Sequence, residues 1–125
     1  MPSSITVPWM FTDEAGDTRF DAFALPMASK AHAPLAGPLL AAEHQSAVSY
    51  PFFLLPPKWV GDAHPELFKS LVLCLTGEFR FVMSPGDAII MRPGDKLLET
   101  DTTGKGHVPD VLSDIPVECL IVRLE

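Results

Sequence analysis

The sequence predicts an all-β fold of short strands, arranged as a sandwich or barrel. Two observations carry this. Thirteen prolines in 125 residues argue against long helices, because proline in a helix interior costs about 3 kcal/mol. Short apolar runs, several alternating with period two, are separated by Gly, Pro and Asp turn signals. That is the pattern of a sandwich or barrel and not of alternating βαβ units.

The elements follow in order. Ile5 to Phe11 and Arg19 to Leu25 read as two strands around the turn Asp13-Glu14-Ala15-Gly16-Asp17. Pro26 to Leu40, interrupted by Pro26, Pro34 and Pro38, reads as an irregular wrap over the surface. Val48 to Leu55 is a strand that Pro51 pushes toward an edge or bulge, and Pro56-Pro57 ends it. Lys58 to Pro65 is a loop. Leu71 to Thr76, apolar on both faces, and Phe79 to Met83, alternating, are read as a pair joined through Gly77-Glu78. Ala88 to Met91 and Lys96 to Glu99 flank the turn Arg92-Pro93-Gly94-Asp95, where Pro pre-sets φ and Gly accepts a positive φ. Asp101 to Gly106 reads as too polar and glycine-rich for the core, a loop that delivers His107 to the next extended run. Val117 to Leu124 closes the chain as an alternating strand.

Size and charge bound the function. One domain over 1–125 is expected, with 1–45 as N-terminal strands and wrap and 46–125 as the barrel core. A chain of this length buries roughly 65% of its unfolded surface, enough for a core without staples. A net charge of −7 argues against a nucleic-acid partner, which needs a basic face. No membrane span and no signal peptide are read. Cys74 and Cys119 both fall in apolar β-like runs and read as reduced core thiols of a cytoplasmic protein, not as a disulfide.

The functional signal lies in two stretches. Counting back from Gly77 by motif spacing reaches Ser70, Glu66 and His64. Downstream stand Gly94-Asp95 and Gly104-Lys105-Gly106-His107. These resemble the two sequence motifs of the cupin superfamily. Glu66 stands where the second histidine of the first motif is usual, and Ser70 where its glutamate is usual. Gly61 comes three residues late for the opening glycine, Thr102 replaces a proline and Val111 an asparagine. Leu55–Pro65, Leu75–Glu78 and Glu99–His107 are similar more narrowly to a small single-domain cupin subfamily. The resemblance implies a double-stranded β-helix, or jelly-roll barrel. It is unspecific for reaction, because isomerases, lyases and dioxygenases share that fold with binding proteins.

In the fold so implied, His64 and Glu66 start one barrel strand and both face the lumen at i, i+2, while His107 enters from the second motif. Two imidazoles and a carboxylate are a usable ligand set for Fe, Mn, Ni or Zn with positions left open. His64 and His107 are also the candidate catalytic groups, since imidazole suits proton transfer near neutral pH. Trp59, Ser70 and Lys105 are the candidate ligand-binding residues. Phe52, Phe53, Phe79, Phe81 and Met83 read as core packing, and His32 and His44 as surface residues. The function expected is a small-molecule enzyme acting in the lumen, with or without a divalent metal. The alternative is a non-catalytic small-molecule binding module. Unpaired strand edges point to a homodimer.

Overall fold

The computed structural model of the chain describes residues 3–31 and 37–125. His32 and Pro34 lie outside the described residues. Among those described there are twelve strands and no helix, so the all-β expectation holds. They are β1 (Ser4–Thr12), β2 (Thr18–Pro26), β3 (Ala28–Ala31), β4 (Pro38–Ala41), β5 (Ala47–Ser49), β6 (Phe52–Leu55), β7 (Ser70–Cys74), β8 (Phe79–Met83), β9 (Ala88–Met91), β10 (Lys96–Glu99), β11 (His107–Val111) and β12 (Val117–Leu124).

The strands form a large sheet in the order β2-β1-β10-β7-β12-β5, with β6 also on β12, and a small sheet β11-β8-β9. Their facing surfaces make the core. Alternation along each strand decides which side chains enter it. Val72 and Cys74 of β7, Leu97 of β10 and Cys119 of β12 come from one sheet, and Phe79, Phe81 and Met83 of β8 from the other. Cys74 and Cys119 are direct register partners, buried and free. Burial pushes both thiols up, Cys119 to about 11, so neither is a usable nucleophile near neutral pH.

Three element assignments differ from the sequence reading. β7 and β8 do not pair with each other. β7 lies between β10 and β12 and β8 between β9 and β11, so Gly77-Glu78 crosses from one sheet to the other. Gly77 takes a φ of 75° there, and a Cβ would meet Val117 Cγ2 at 2.9 Å. A short Gly turn reads alike whether the chain returns in the same sheet or changes sheets. Within the stretch expected to wrap irregularly, β3 and β4 pair antiparallel. The run expected as one strand over Val48–Leu55 is two, because Pro51 cannot donate to a ladder; both halves dock on β12.

Candidate metal centre

The segment before β7 holds the first histidine. Instead of starting a strand, His64 and Glu66 lie in an irregular stretch that runs along β11. Val111 N donates to Trp59 O (2.7 Å), Gly61 N to Pro109 O (2.8 Å), and His64 and His107 exchange both backbone bonds at 3.0 Å. Pro65 has no N–H, which ends the ladder beside His64. Glu66 N then donates to Asp101 O (2.9 Å), so backbone bonds alone bring 64, 66, 101 and 107 to one end of the two sheets.

Gly106 makes this approach possible. Its φ is 76°, and a Cβ there would overlap the His64 carbonyl and the Pro65 nitrogen. The glycines around Lys105 therefore serve chain-on-chain contact. Lys105 itself pairs with Asp17 Oδ1 at 3.1 Å at the β1–β2 turn. Trp59 packs against the hydrophobic core. Ser70 is buried, and its hydroxyl donates to Phe68 O at 3.0 Å. His44 is exposed.

His64, Glu66 and His107 do come together. One ligand atom from each lies within 4.8 Å of the others, and the two imidazole rings are 5.3 Å apart. His107 is 1% exposed. Its Nδ1 donates to Asp101 Oδ2 at 2.6 Å, and the ring edge packs on Phe81. His64 is half-exposed, and its Nδ1 donates to the Asp62 carbonyl at 2.7 Å. Each ring is thus held through Nδ1, leaving Nε2 to face Glu66. Nε2 of His107 stands 3.1 Å from Glu66 Oε1 and that of His64 4.0 Å. The His107 contact is too poorly aligned for a hydrogen bond, so this buried nitrogen has no aligned partner.

Electrostatics follow from the packing. Burial alone would push the His107 pKa down, but the contacts with Asp101 and Glu66 and the nearby Glu99 hold it up at about 10. Burial pushes Glu66 up as well, yet the His107 contact outweighs it and its carboxyl falls below the usual range. Glu99 is raised well above that range, first by burial and then by the Glu66 charge.

The sequence reading missed Asp101 and Glu99 as parts of this site, and its placement of Asp101–Gly106 outside the core fails at both ends. Asp101 is fully buried and Gly106 is buried too. The signal was present: Leu97, Glu99 and Asp101 continue one face of β10 at i, i+2.

Solved structures complete the picture. The sequence matches no protein-family model and no curated protein. The structure is similar to a Cupin 2 conserved barrel domain protein from Salinispora arenicola CNS-205, with a TM-score of 0.53 and 14% identity over 81% of this chain and 76% of that one. It is also similar to the cupin domain of Cnp3 from Schizosaccharomyces pombe, with a TM-score of 0.52 and 8% identity over 100% of this chain and 86% of that one. The chain has the cupin fold. At such identities the likeness carries fold and not reaction. In this chain the seven-stranded and three-stranded sheets stay separate, and the histidine cluster sits where β11 of the small sheet meets the end of β10 of the large one.

Proposed function

We propose that this cupin is a divalent-metal-dependent enzyme acting on a small molecule, with His64, Glu66 and His107 holding the ion. One observation carries the reading: both histidines are held through Nδ1 by oxygen acceptors, so that both Nε2 atoms converge on one carboxylate oxygen. A carboxylate or carbonyl behind each imidazole is how protein sites fix the ligand tautomer. The residues fit such an ion. Bonds of roughly 2.1 Å set neighbouring ligand atoms about 3 Å apart, which the His107–Glu66 contact already shows at 3.1 Å. His64, on the solvent side, closes the set by turning inward.

When bound, the ion would supply Lewis acidity to a substrate oxygen or an acidified water. The rest is done by the chain. Asp101 holds the His107 ring in place and Asp62 O holds His64, while Phe81 and the buried wall of β10 keep water from the inner side. His64, half-exposed, would form the solvent side of the site. Isomerase, lyase and dioxygenase chemistry are the reaction classes in play, and the ion is expected to be Fe, Mn, Ni or Zn.

Purified protein titrated with Mn(II), Zn(II), Ni(II) and, without oxygen, Fe(II) is expected to gain thermal stability with at least one of them. At a free concentration of 100 times Kd the gain is about 2.7 kcal/mol. His64→Ala should lose that gain while its metal-free melting temperature stays near wild type, because the ring is half-exposed. No shift with any ion would end the metal reading. Small molecules that bind the loaded protein but are all recovered unchanged would make it a binding module.

A homodimer is the second part of the proposal. In the run from Ala47 to Pro57, which carries no charged residue, Val48, Tyr50, Phe52, Phe53 and Leu54 are all exposed. Among the described residues β5 and β6 pair with β12 alone, which leaves their outer edge for a second copy. A groove of about 920 Å³ opens on the other face of the large sheet, away from His64 and His107, and adds apolar surface on that side. Leu54→Asp is expected to turn a dimer into a monomer in sedimentation at micromolar concentration. A wild type that sediments as a monomer there would refute it.

A further inference from the structure

Asp101 is itself held in place. Its side chain is fully buried, and two donors converge on one of its oxygens. His107 Nδ1 donates to Oδ2 at 2.6 Å, and the Thr18 hydroxyl donates to the same atom at 3.2 Å. Oδ1 is buried without a partner. The outer torsion of an aspartate is soft and roughly two-fold, so one donor on one oxygen sets the carboxylate plane only loosely. A second donor on that oxygen selects Oδ2 and fixes the plane. Among the described residues, Thr18 supplies it.

Thr18 is suited to this task. It is fully buried at the first position of β2, and its β-branched side chain has a restricted χ1. Its backbone is anchored from the small sheet. Thr18 N donates to Ser84 Oγ at 2.9 Å, just past the end of β8, and Ser84 Oγ donates to Asp17 Oδ1 at 3.0 Å. The loop that carries Asp101 is tied to the same β1–β2 turn. Thr12 Oγ1 donates to Thr103 O at 3.0 Å, and Lys105 N to Gly16 O at 2.9 Å. Two turns and the 101–107 segment therefore meet around one carboxylate. We propose that Thr18 is a positioning residue: its hydroxyl fixes Asp101, and Asp101 fixes the orientation and tautomer of the His107 ring, which keeps Nε2 facing Glu66. The effect on a bound ion rests on the metal-centre reading above, whereas the effect on the ring does not.

Thr18→Val removes the hydroxyl and keeps the branched shape, and Thr18→Ser restores the hydroxyl. Two readings are taken on wild type and both variants carrying isotope-labelled histidine. The first, made without metal, is the proton resonance of His107 Nδ1, whose position and exchange with water report its bond to Asp101. The second is calorimetric titration with Mn(II), Zn(II), Ni(II) and, without oxygen, Fe(II). In Thr18→Val the resonance is expected to shift and to exchange faster, and ion affinity to fall about tenfold. Thr18→Ser should return both toward wild type. A threonine that is only part of the packing would change the melting temperature and leave the resonance where it is. An unchanged Nδ1 resonance in Thr18→Val overturns the inference, and so does a shifted resonance with unchanged ion affinity. If Thr18→Val does not fold, Thr18→Ala decides on the same readings. A wild type that binds none of the four ions ends the metal-centre reading instead, and the resonance alone then decides for Thr18.

Discussion

His107→Gln is expected to lower the unfolding free energy by about 3 kcal/mol, and the melting temperature by about 10 °C. From the motif alone this substitution looks nearly neutral for stability, because glutamine keeps size and some hydrogen bonding. The structure reverses that expectation. His107 and Asp101 are both fully buried in their side chains and meet at 2.6 Å. With its pKa held at about 10 the imidazole is the cation among Asp101, Glu66 and Glu99. A neutral amide leaves the fully buried Asp101 carboxylate without its counter-charge, and breaking a buried pair from one side is far costlier than removing both partners. The variant should also gain no stability from added metal. A melting temperature within about 2 °C of wild type, read against the few degrees that 1 kcal/mol produces, would show that His107 is not the cation of this cluster.

Gly106→Ala should be as damaging, by a different route. The positive φ of 76° alone costs a side chain about 1–2 kcal/mol. The added Cβ would also overlap the His64 carbonyl and the Pro65 nitrogen, which are backbone and cannot rotate away. The 64–66 segment must then lift off β11, breaking the paired backbone bonds between His64 and His107. A loss of about 3 kcal/mol or more is expected, together with loss of metal-dependent stabilisation. Amide exchange at His64 and His107, slow in wild type, should become fast in the variant. Unchanged protection at these two amides would mean the close approach does not hold the site together.

Both predictions turn on contacts that no single strand or turn contains, and that marks where the sequence stopped being informative. Turn chemistry and period-two alternation located β8, β9, β10 and β12 at their observed bounds, and placed β1, β2 and β7 within a residue or two. These signals are local: φ preferences of Pro and Gly, and the pleat that sends alternate side chains to opposite faces. Motif spacing likewise singled out His64, Glu66 and His107, which the fold brings together.

Partner choice was not legible. Nothing local distinguishes a turn that closes a hairpin from one that changes sheets, so β7 and β8 read as partners although they belong to opposite layers. The parallel pairing of β1 with β10 is equally silent in sequence, since its residues are about ninety positions apart. The acids show the same limit. Glu99 and Asp101 look like solvent residues because they are charged and stand before a glycine-rich loop, and charged residues are almost never buried unless paired. Here they are buried because β11 brings a histidine against them. The sequence by itself determined most strand positions and turns, which depend on backbone conformations a few residues long, and its motif spacing singled out the three side chains that the fold brings together. Only the tertiary structure decided which strands share a sheet, that Asp101 holds His107, and that Glu99 is buried, because those outcomes depend on packing among segments that meet only after folding.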